Sequence, residues 1–307
     1  MEANIQLDHN TEHEQEQEDI LVRGTALNGK VRIFAVRTTK LVQELQRRHQ
    51  TLPTATAALG RTVTAAAMMG AMLKGKEKLT IQVKGDGPIG KIVVDANAQG
   101  EVRGYVTNPD VHLPSNEAGK IDVAGAVGTS GFIHVIKDLG MKEPYSGSSE
   151  IISGELGEDF TYYFASSEQT PSSVGLSILV DTDGSVMNAG GFILQLLPGL
   201  TDDEITQLDG ALRSLPPLSA LFSQGTEPDE LLSWIAKDVQ IMETMNISFR
   251  CQCSRERVEK TLISLGVEEL QGIITEEKKA EVVCHFCNEA YHFDQDQLQE
   301  LVEQIKK

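Results

Sequence analysis

The chain has 307 residues, of which 40% are hydrophobic and 23% are charged, and this length allows about two domains with a substantial core. Its formal net charge at pH 7 is −18, with 27 Lys and Arg against 45 Asp and Glu, so it lacks the basic surface that neutralises nucleic-acid phosphates. We therefore expect no nucleic-acid partner. No run of about 18 apolar residues occurs, so we also expect no membrane span.

The N-terminal segment is strongly acidic. The first 20 residues contain seven Asp and Glu and no Lys or Arg. We interpret residues 1–19 as a disordered, solvated tail. A secretory signal would begin with a basic region followed by an apolar one, and this segment has neither, so we expect a cytoplasmic protein.

The next segments indicate a core domain over residues 20–198. Strand-like segments at 21–27 and 31–37 flank Asn28-Gly29, which is a strong hairpin signal. Thr39 is expected to cap a helix that ends near His49, and an Ala- and Gly-rich helix is expected after Pro53, packed closely against a sheet or another helix. The remaining predictions are a helix between 155 and 165, an apolar run at 192–197, and strands at 79–84, 91–95, 102–107, 132–136, 174–180 and 186–187. Because strands and helices come in groups rather than in strict alternation, we expect the α+β class.

Residues 199–250 are predicted to form a helical linker. Thr201-Asp-Asp-Glu204 is a capping box that predicts a helix start, and Pro216-Pro217 predicts its end. Another helix is expected to begin near Thr226. Helices this short are marginal alone and depend on docking, so we expect the linker to be the least stable ordered region of the chain.

The four cysteines of the chain all lie in its last segment, residues 251–307, as Cys251-Gln-Cys253 and Cys284-His-Phe-Cys287. Two tight thiol pairs match a tetrahedral soft-metal site, and four thiolates suit one Zn2+ best. This segment has few large apolar side chains, so a bound zinc would supply much of its folding free energy.

Other residues near the cysteines could bind the metal or balance its charge. His285 and His292 are rival ligands, although His285 lies between two better ones. The positive side chains of Arg250, Arg255 and Arg257 are close enough in sequence to offset the negative charge of a thiolate cluster. Around the motifs we expect a helix capped by Ser254, strands at 281–283 and 291–293, and a closing helix capped by Asp294.

The same spacing also permits redox chemistry. Each cysteine pair is close enough to form a local disulfide once a metal has left. Residues i and i+2 of an extended strand lie near the largest Cα separation that a disulfide accepts, so oxidation of Cys251 and Cys253 must bend the backbone. Strained local disulfides are the labile, regulatory kind. The spacing alone therefore leaves a structural zinc site and a redox switch both open.

The two motifs stand in the longer segments Phe249-Arg-Cys-Gln-Cys-Ser-Arg-Glu-Arg257 and Val283-Cys-His-Phe-Cys-Asn288. These segments, with 53–61, 85–90, 166–171 and 189–195, closely resemble the heat shock protein 33 family of redox-regulated chaperones. The resemblance covers about residues 20–307. It implies a stress-response protein that is not an enzyme, an ATP-independent holdase. In its reduced, inactive state the four cysteines bind one Zn2+.

The resemblance also implies a mechanism of activation. Oxidants such as peroxide or hypochlorous acid would form the disulfides Cys251–Cys253 and Cys284–Cys287, with loss of the zinc. The zinc-binding module and then the linker would unfold, the exposed apolar surface would bind unfolding client proteins, and the active form would be a homodimer. One apolar group in the linker then has two interpretations, a core-facing surface or a client surface hidden until activation; it contains Leu231, Leu232, Trp234 and Ile235.

Two other functions remain open. One is a zinc-stabilised interaction module without redox switching. The other is a thiol–disulfide oxidoreductase that uses Cys284 and Cys287 catalytically. Such enzymes place the cysteine pair at a helix N-terminus in a βαβ context, which the sequence does not indicate.

Overall fold

The computed structural model describes residues 17–306 of the chain. These residues form three sheets and ten helices, so the α+β class expected from the sequence is confirmed. Residues 1–16 of the predicted disordered tail lie outside the described residues. No helix within residues 17–306 combines the length and the apolar character needed to cross a membrane.

Two large sheets form the core. The strands of the first sheet are, in spatial order, β10 (Gln240–Asn246), β1 (Ile20–Ala26), β2 (Val31–Arg37), β9 (Val186–Leu196) and β8 (Ser172–Val180). Those of the second are β11 (Ser248–Phe249), β5 (Glu101–Val106), β4 (Lys91–Asn97), β3 (Lys78–Gly85), β6 (Gly131–Asp138) and β7 (Tyr145–Glu150). Neighbouring strands in both sheets are antiparallel, except that β11 runs parallel to β5.

A helix of small residues, α2 (Pro53–Gly70), lies between the two sheets and joins them into one hydrophobic core. Every residue of α2 except Pro53 and Arg61 is buried. A Cβ atom at Gly60 would come within 3.1 Å of the side chains of Ile178 and Val42. The close packing predicted from the small side chains is therefore confirmed.

The first two strands form the predicted hairpin. Leu27, Asn28 and Gly29 of its turn all have positive φ, a conformation that Gly and Asn adopt at the least cost. The helix α1 (Thr39–His49) follows at the predicted position, but Thr39 does not cap it. The Thr39 hydroxyl instead accepts a hydrogen bond from the backbone N–H of Ala189 at 3.1 Å.

Asp19 provides the cap at the N-terminus of α1. Its carboxylate accepts hydrogen bonds from the backbone N–H groups of Lys40 at 3.1 Å and Leu41 at 2.7 Å, and the side chain is buried. Burial raises the pKa of Asp19 to about 6, and those two hydrogen bonds oppose the rise. The disordered tail predicted over residues 1–19 is thus wrong at its end, because the unpaired N–H groups of α1 bind the carboxylate in place of water.

Other parts of the core domain differ from the predictions in extent. The strand β9 continues through Gly190 and Gly191, where the sequence indicated a short strand and a separate apolar run. A Cβ atom at Gly190 would lie 2.5 Å from the carbonyl oxygen of Val36 in the neighbouring strand, so a glycine is needed there. The helix α4 (Gly157–Ser166) is confirmed, whereas β7 and the short helix α3 (Val123–Val127) were not predicted.

The linker covers the outer face of the five-stranded sheet. Its helices are α5 (Asp202–Ser214), α6 (Leu218–Ser223) and α7 (Pro228–Ile235), and Thr201 and Glu204 form the predicted capping box. Leu231, Leu232 and Ile235 are buried against the sheet, whereas 49% of the Trp234 surface is exposed. The helical description of residues 199–250 is wrong at its end, because β10 pairs with β1 and β11 pairs with β5.

The C-terminal segment forms a small module with its own hydrophobic cluster. Its elements are α8 (Arg255–Ile263), α9 (Val267–Glu276), β12 (Lys279–Val283), β13 (Ala290–Asp294) and α10 (Gln295–Ile305). Ser254 caps α8 and Asp294 caps α10, as the sequence predicted. Two of the cysteines lie just before α8, and the other two lie in the turn between β12 and β13.

Candidate metal centre

The first cysteine pair is held at the edge of the six-stranded sheet. We call residues 251–253 the first knuckle. The strand β11 ends two residues before it, and the backbone N–H of Arg250 donates to the carbonyl oxygen of Val102 in β5 at 3.1 Å. Immediately after the knuckle, the Ser254 hydroxyl accepts from the backbone N–H of Arg257 at 3.3 Å and begins α8. The core sheet and a module helix thus fix the knuckle from both sides.

The second cysteine pair lies in the turn of the β12–β13 hairpin. We call residues 284–288 the second knuckle. The backbone N–H of Cys284 donates to Glu289 at 2.9 Å, and that of Asn288 donates back to Cys284 at 2.8 Å. Asn288 has a φ of 59°, which closes the turn in a conformation that Asn tolerates. This turn directs both thiols toward the first knuckle.

The four thiols converge on one point. Their Sγ atoms all lie within 4.8 Å of one another, with 3.8 Å between Cys251 and Cys284 and 3.1 Å between Cys253 and Cys287. Four sulfurs at about 2.3 Å from a central metal would be about 3.8 Å apart in an ideal tetrahedron. The separation of Cys251 and Cys284 equals this value, and that of Cys253 and Cys287 is shorter. The four-sulfur donor set and its convergence within 4.8 Å fit a four-coordinate metal ion. All four cysteines are free thiols, and Cys287 is buried.

The two histidines lie outside this group. Within residues 17–306, the cluster that could hold a metal at this site consists of the four cysteines alone. His285 stacks on the ring of Tyr105 at 5.7 Å, and Nδ1 of His292 lies 3.2 Å from a carboxylate oxygen of Glu281 on the neighbouring strand. Both histidines are thus engaged elsewhere.

The environment of the thiols separates their acidities. Burial raises the pKa of Cys251, but hydrogen bonds from the backbone and side chain of Cys253 and from Arg103 outweigh burial and bring it down to about 7. Burial raises the pKa of Cys287 well above its usual range, and burial also raises that of Cys253. The Cys251 thiol therefore ionises more readily than the thiols of Cys253 and Cys287.

The positive charge nearest the thiols comes from the core domain. Nη1 of Arg103, in β5, donates to Sγ of Cys251 at 3.6 Å. The arginines expected in this role have other partners: Arg257 donates to the carbonyl oxygen of Gln252, and the Arg255 guanidinium lies over the Phe293 ring. Arg250 is exposed, and its Nε lies 3.9 Å from a carboxylate oxygen of Glu101.

Sequence reasoning missed Arg103, although one signal was available. Residues 102, 104 and 106 of β5 are buried, and the alternating residues 101, 103 and 105 are half-buried on the opposite face. That alternation places Arg103 and Tyr105 on one face of the strand. Nothing in the sequence of β5 indicates that a module from residues 251–306 covers this face.

Known proteins match nearly the whole chain. The family model described as Hsp33 protein matches residues 19–294. A 33 kDa chaperonin of Geobacillus kaustophilus is 57% identical over 291 residues, covering 94% of this chain and 99% of the relative, and one of Bacillus cereus is 56% identical over 289 residues with the same coverage. The crystal structure of a 33 kDa chaperonin from Thermotoga maritima has a TM-score of 0.89 at 39% identity, covering 95% of this chain and 100% of that one.

Proposed function

The chain belongs to the Hsp33 family, and on that premise we propose that it is a cytoplasmic, ATP-independent holdase chaperone switched on by oxidation. The observation that carries the proposal is the convergence of four free thiols from two separate segments. Its similarity to proteins named chaperonins supports the binding of unfolded proteins rather than catalysis.

In the reduced state, Cys251, Cys253, Cys284 and Cys287 would hold one zinc ion as thiolates. The bound ion would supply a cross-link between the two knuckles. The module needs such a cross-link because its own buried cluster is small; its members are Val258, Leu262, Leu270, Phe293, Leu298, Leu301 and Val302. Without it, too little apolar surface is buried to balance the chain entropy.

Oxidation would remove the ligands in pairs. Two thiolates give up two electrons to one hydrogen peroxide, which takes up two protons and becomes two water molecules, while one S–S bond forms. We propose the pairs Cys251–Cys253 and Cys284–Cys287, as the family resemblance implies. Because all four Sγ atoms lie within 4.8 Å, pairing between the knuckles is also within reach, and mapping of the disulfides distinguishes the two.

Loss of the module would destabilise the linker. Helices α5–α7 bury one apolar face against the sheet and are further held by ion pairs such as Arg37 with Glu227 at 2.8 Å. Their release would expose Leu231, Leu232 and Ile235 together with Ile33 and Phe192 of the sheet beneath. We propose this combined surface as the client site and as the surface available for dimerisation.

The test compares reduced and peroxide-treated protein. Released zinc, remaining thiols and suppression of aggregation of an unfolding client are measured in one time course. We expect all three to change together on oxidation and to reverse on reduction. Zinc retained under peroxide, or zinc released with no gain in suppression of aggregation, would contradict the proposal and leave an interaction module without switching. No observation favours the oxidoreductase, because Cys284 and Cys287 lie in a hairpin turn rather than at a helix N-terminus.

A further inference from the structure

The second knuckle is bound directly by the core domain. Three hydrogen bonds connect it to the last turn of α1. Nη1 of Arg48 donates to the carbonyl oxygen of Cys287 at 3.2 Å, and Nδ2 of Asn288 donates to the carbonyl oxygen of Arg48 at 2.9 Å. Nε2 of His49 lies 3.2 Å from the carbonyl oxygen of Phe286, and it is the donor because a carbonyl only accepts.

Ring contacts extend the same interface to β5. The Phe286 ring lies 4.0 Å from the Arg103 guanidinium and meets the Tyr105 ring edge-on at 5.2 Å. The His285 ring also stacks on the Tyr105 ring, with 5.7 Å between the ring centroids. We call Arg48, His49, Arg103 and Tyr105 the docking face. These contacts belong to two core elements that are far from the linker in sequence.

Arg103 contacts both halves of the cysteine cluster at once. Its Nη1 donates to Cys251 of the first knuckle at 3.6 Å, while its guanidinium lies against Phe286 of the second. Asp95 on the neighbouring strand fixes the guanidinium with bonds of 2.7 and 3.0 Å. A planar guanidinium can make an ion pair along its edge and a ring contact on its face at the same time.

We propose that the docking face is the core domain's binding site for the metal-bound second knuckle, and that Arg103 is a positioning residue that holds the two knuckles together. The inference rests on the proposed function, in which the cysteines hold zinc. Residues 286, 287 and 288 of the turn make the hydrogen bonds to α1. They are positioned to do so because Cys284 and Cys287 bind the same metal ion. When the metal is lost, the turn loses its conformation and with it the contacts to α1 and β5. The core domain therefore senses the metal through this face as well as through the linker.

The experiment uses the full-length, reduced, zinc-loaded protein, and no client. A chromogenic zinc chelator measures the rate of zinc release from wild type, Phe286→Leu, Arg103→Gln and the double variant. Arg47→Gln is the matched control, because Arg47 neighbours Arg48 but its side chain is exposed and bonded to Glu44. We expect each single variant to release zinc about fivefold faster than wild type, because each loses one cation–π contact and a contact of that kind contributes about this factor. The control should match wild type.

The double variant separates docking from general loosening. If Phe286 and Arg103 act through one contact, the double variant releases zinc no faster than the faster single variant. Rates equal to wild type in Phe286→Leu, or effects that multiply fully in the double variant, would overturn the inference. Phe286→Leu leaves the core sheet intact, so this outcome can be interpreted even if Arg103→Gln fails to fold.

A second readout follows the core domain itself. Amide exchange at residues 45–49 and 101–106 should quicken when zinc is removed from wild type, and should already be faster in zinc-loaded Phe286→Leu. Unchanged exchange at both segments would also contradict the inference. Failure of the oxidised wild type to suppress aggregation would instead reject the proposed function, so the two failures are distinguishable.

Discussion

The substitution Leu231→Ala tests whether the linker opens as a separate unit. Leu231 is fully buried between α7 and the five-stranded sheet. Shortening it removes three carbon groups at about 0.8 kcal/mol each, and with the cavity left behind the expected cost is about 3 kcal/mol. If this cost falls on the docked linker, the population of the open form rises roughly 150-fold.

The assay is native-state amide exchange on the reduced, zinc-loaded protein. We expect exchange across α7 to quicken by that factor, while α2 between the sheets keeps its protection. The reduced variant should also suppress client aggregation without oxidant. Ser233→Ala is the control, because Ser233 lies on the exposed side of the same helix. If Leu231→Ala leaves exchange in α7 unchanged, or quickens α2 equally, then α7 does not open independently and the reasoning is wrong.

Three further predictions concern charge and metal. The pKa of Asp19 is about 6 in the folded protein, against an ordinary value of 3.8. The folded state therefore binds the proton more tightly than the unfolded state. The protonated carboxyl contributes its full stabilisation below pH 3.8, and this contribution is lost as the pH rises through 6. Relative to Asp19→Asn, wild type should therefore gain up to about 3 kcal/mol of unfolding free energy as the pH falls from 7 to 4, measured by urea unfolding. Parallel pH curves for the two proteins would contradict this. Glu227→Gln removes the negative partner of Arg37 and should weaken the docking of the linker by about 1 kcal/mol, measured by amide exchange. Asp209→Asn is the control, because Asp209 forms an exposed ion pair with Arg213 and its loss should have little effect. Adding a chelator to the reduced protein should abolish amide protection in α8–α10 and leave α2 protected; a module that stays protected would show that the metal is not needed for its fold.

Features encoded in a few adjacent residues were predicted well. The hairpin at Asn28-Gly29, the capping box that begins with Thr201, the helix cap at Asp294 and the small-residue helix α2 depend on local geometry, which a short segment determines. The convergence of the four cysteines was also expected, because each pair is local and a metal site needs both.

Features that depend on distant partners were missed. The strand β10 is almost entirely exposed, without the alternation of buried and exposed residues that marks a strand, and it forms because β1 offers an unpaired edge some 220 residues earlier in the chain. Asp19 belongs by composition to an acidic tail, yet it is buried because α1 presents free N–H groups. Trp234 was grouped with its apolar neighbours, but its position on α7 turns it outward, so its fluorescence will shift less on linker release than that of a buried tryptophan.

The pairing of β10 with β1 has a consequence for how the switch resets. Residues 197–239, which carry α5–α7, run between β9 and β10, and both of these strands belong to the same sheet. The detached helices would therefore remain a loop tethered at both ends, at a high effective concentration beside the surface they left. Closing a loop whose ends are already in place costs little additional chain entropy. Once the client and any partner subunit have left this surface, the return of the helices to it becomes a local step within one chain that leaves the two-sheet core folded throughout.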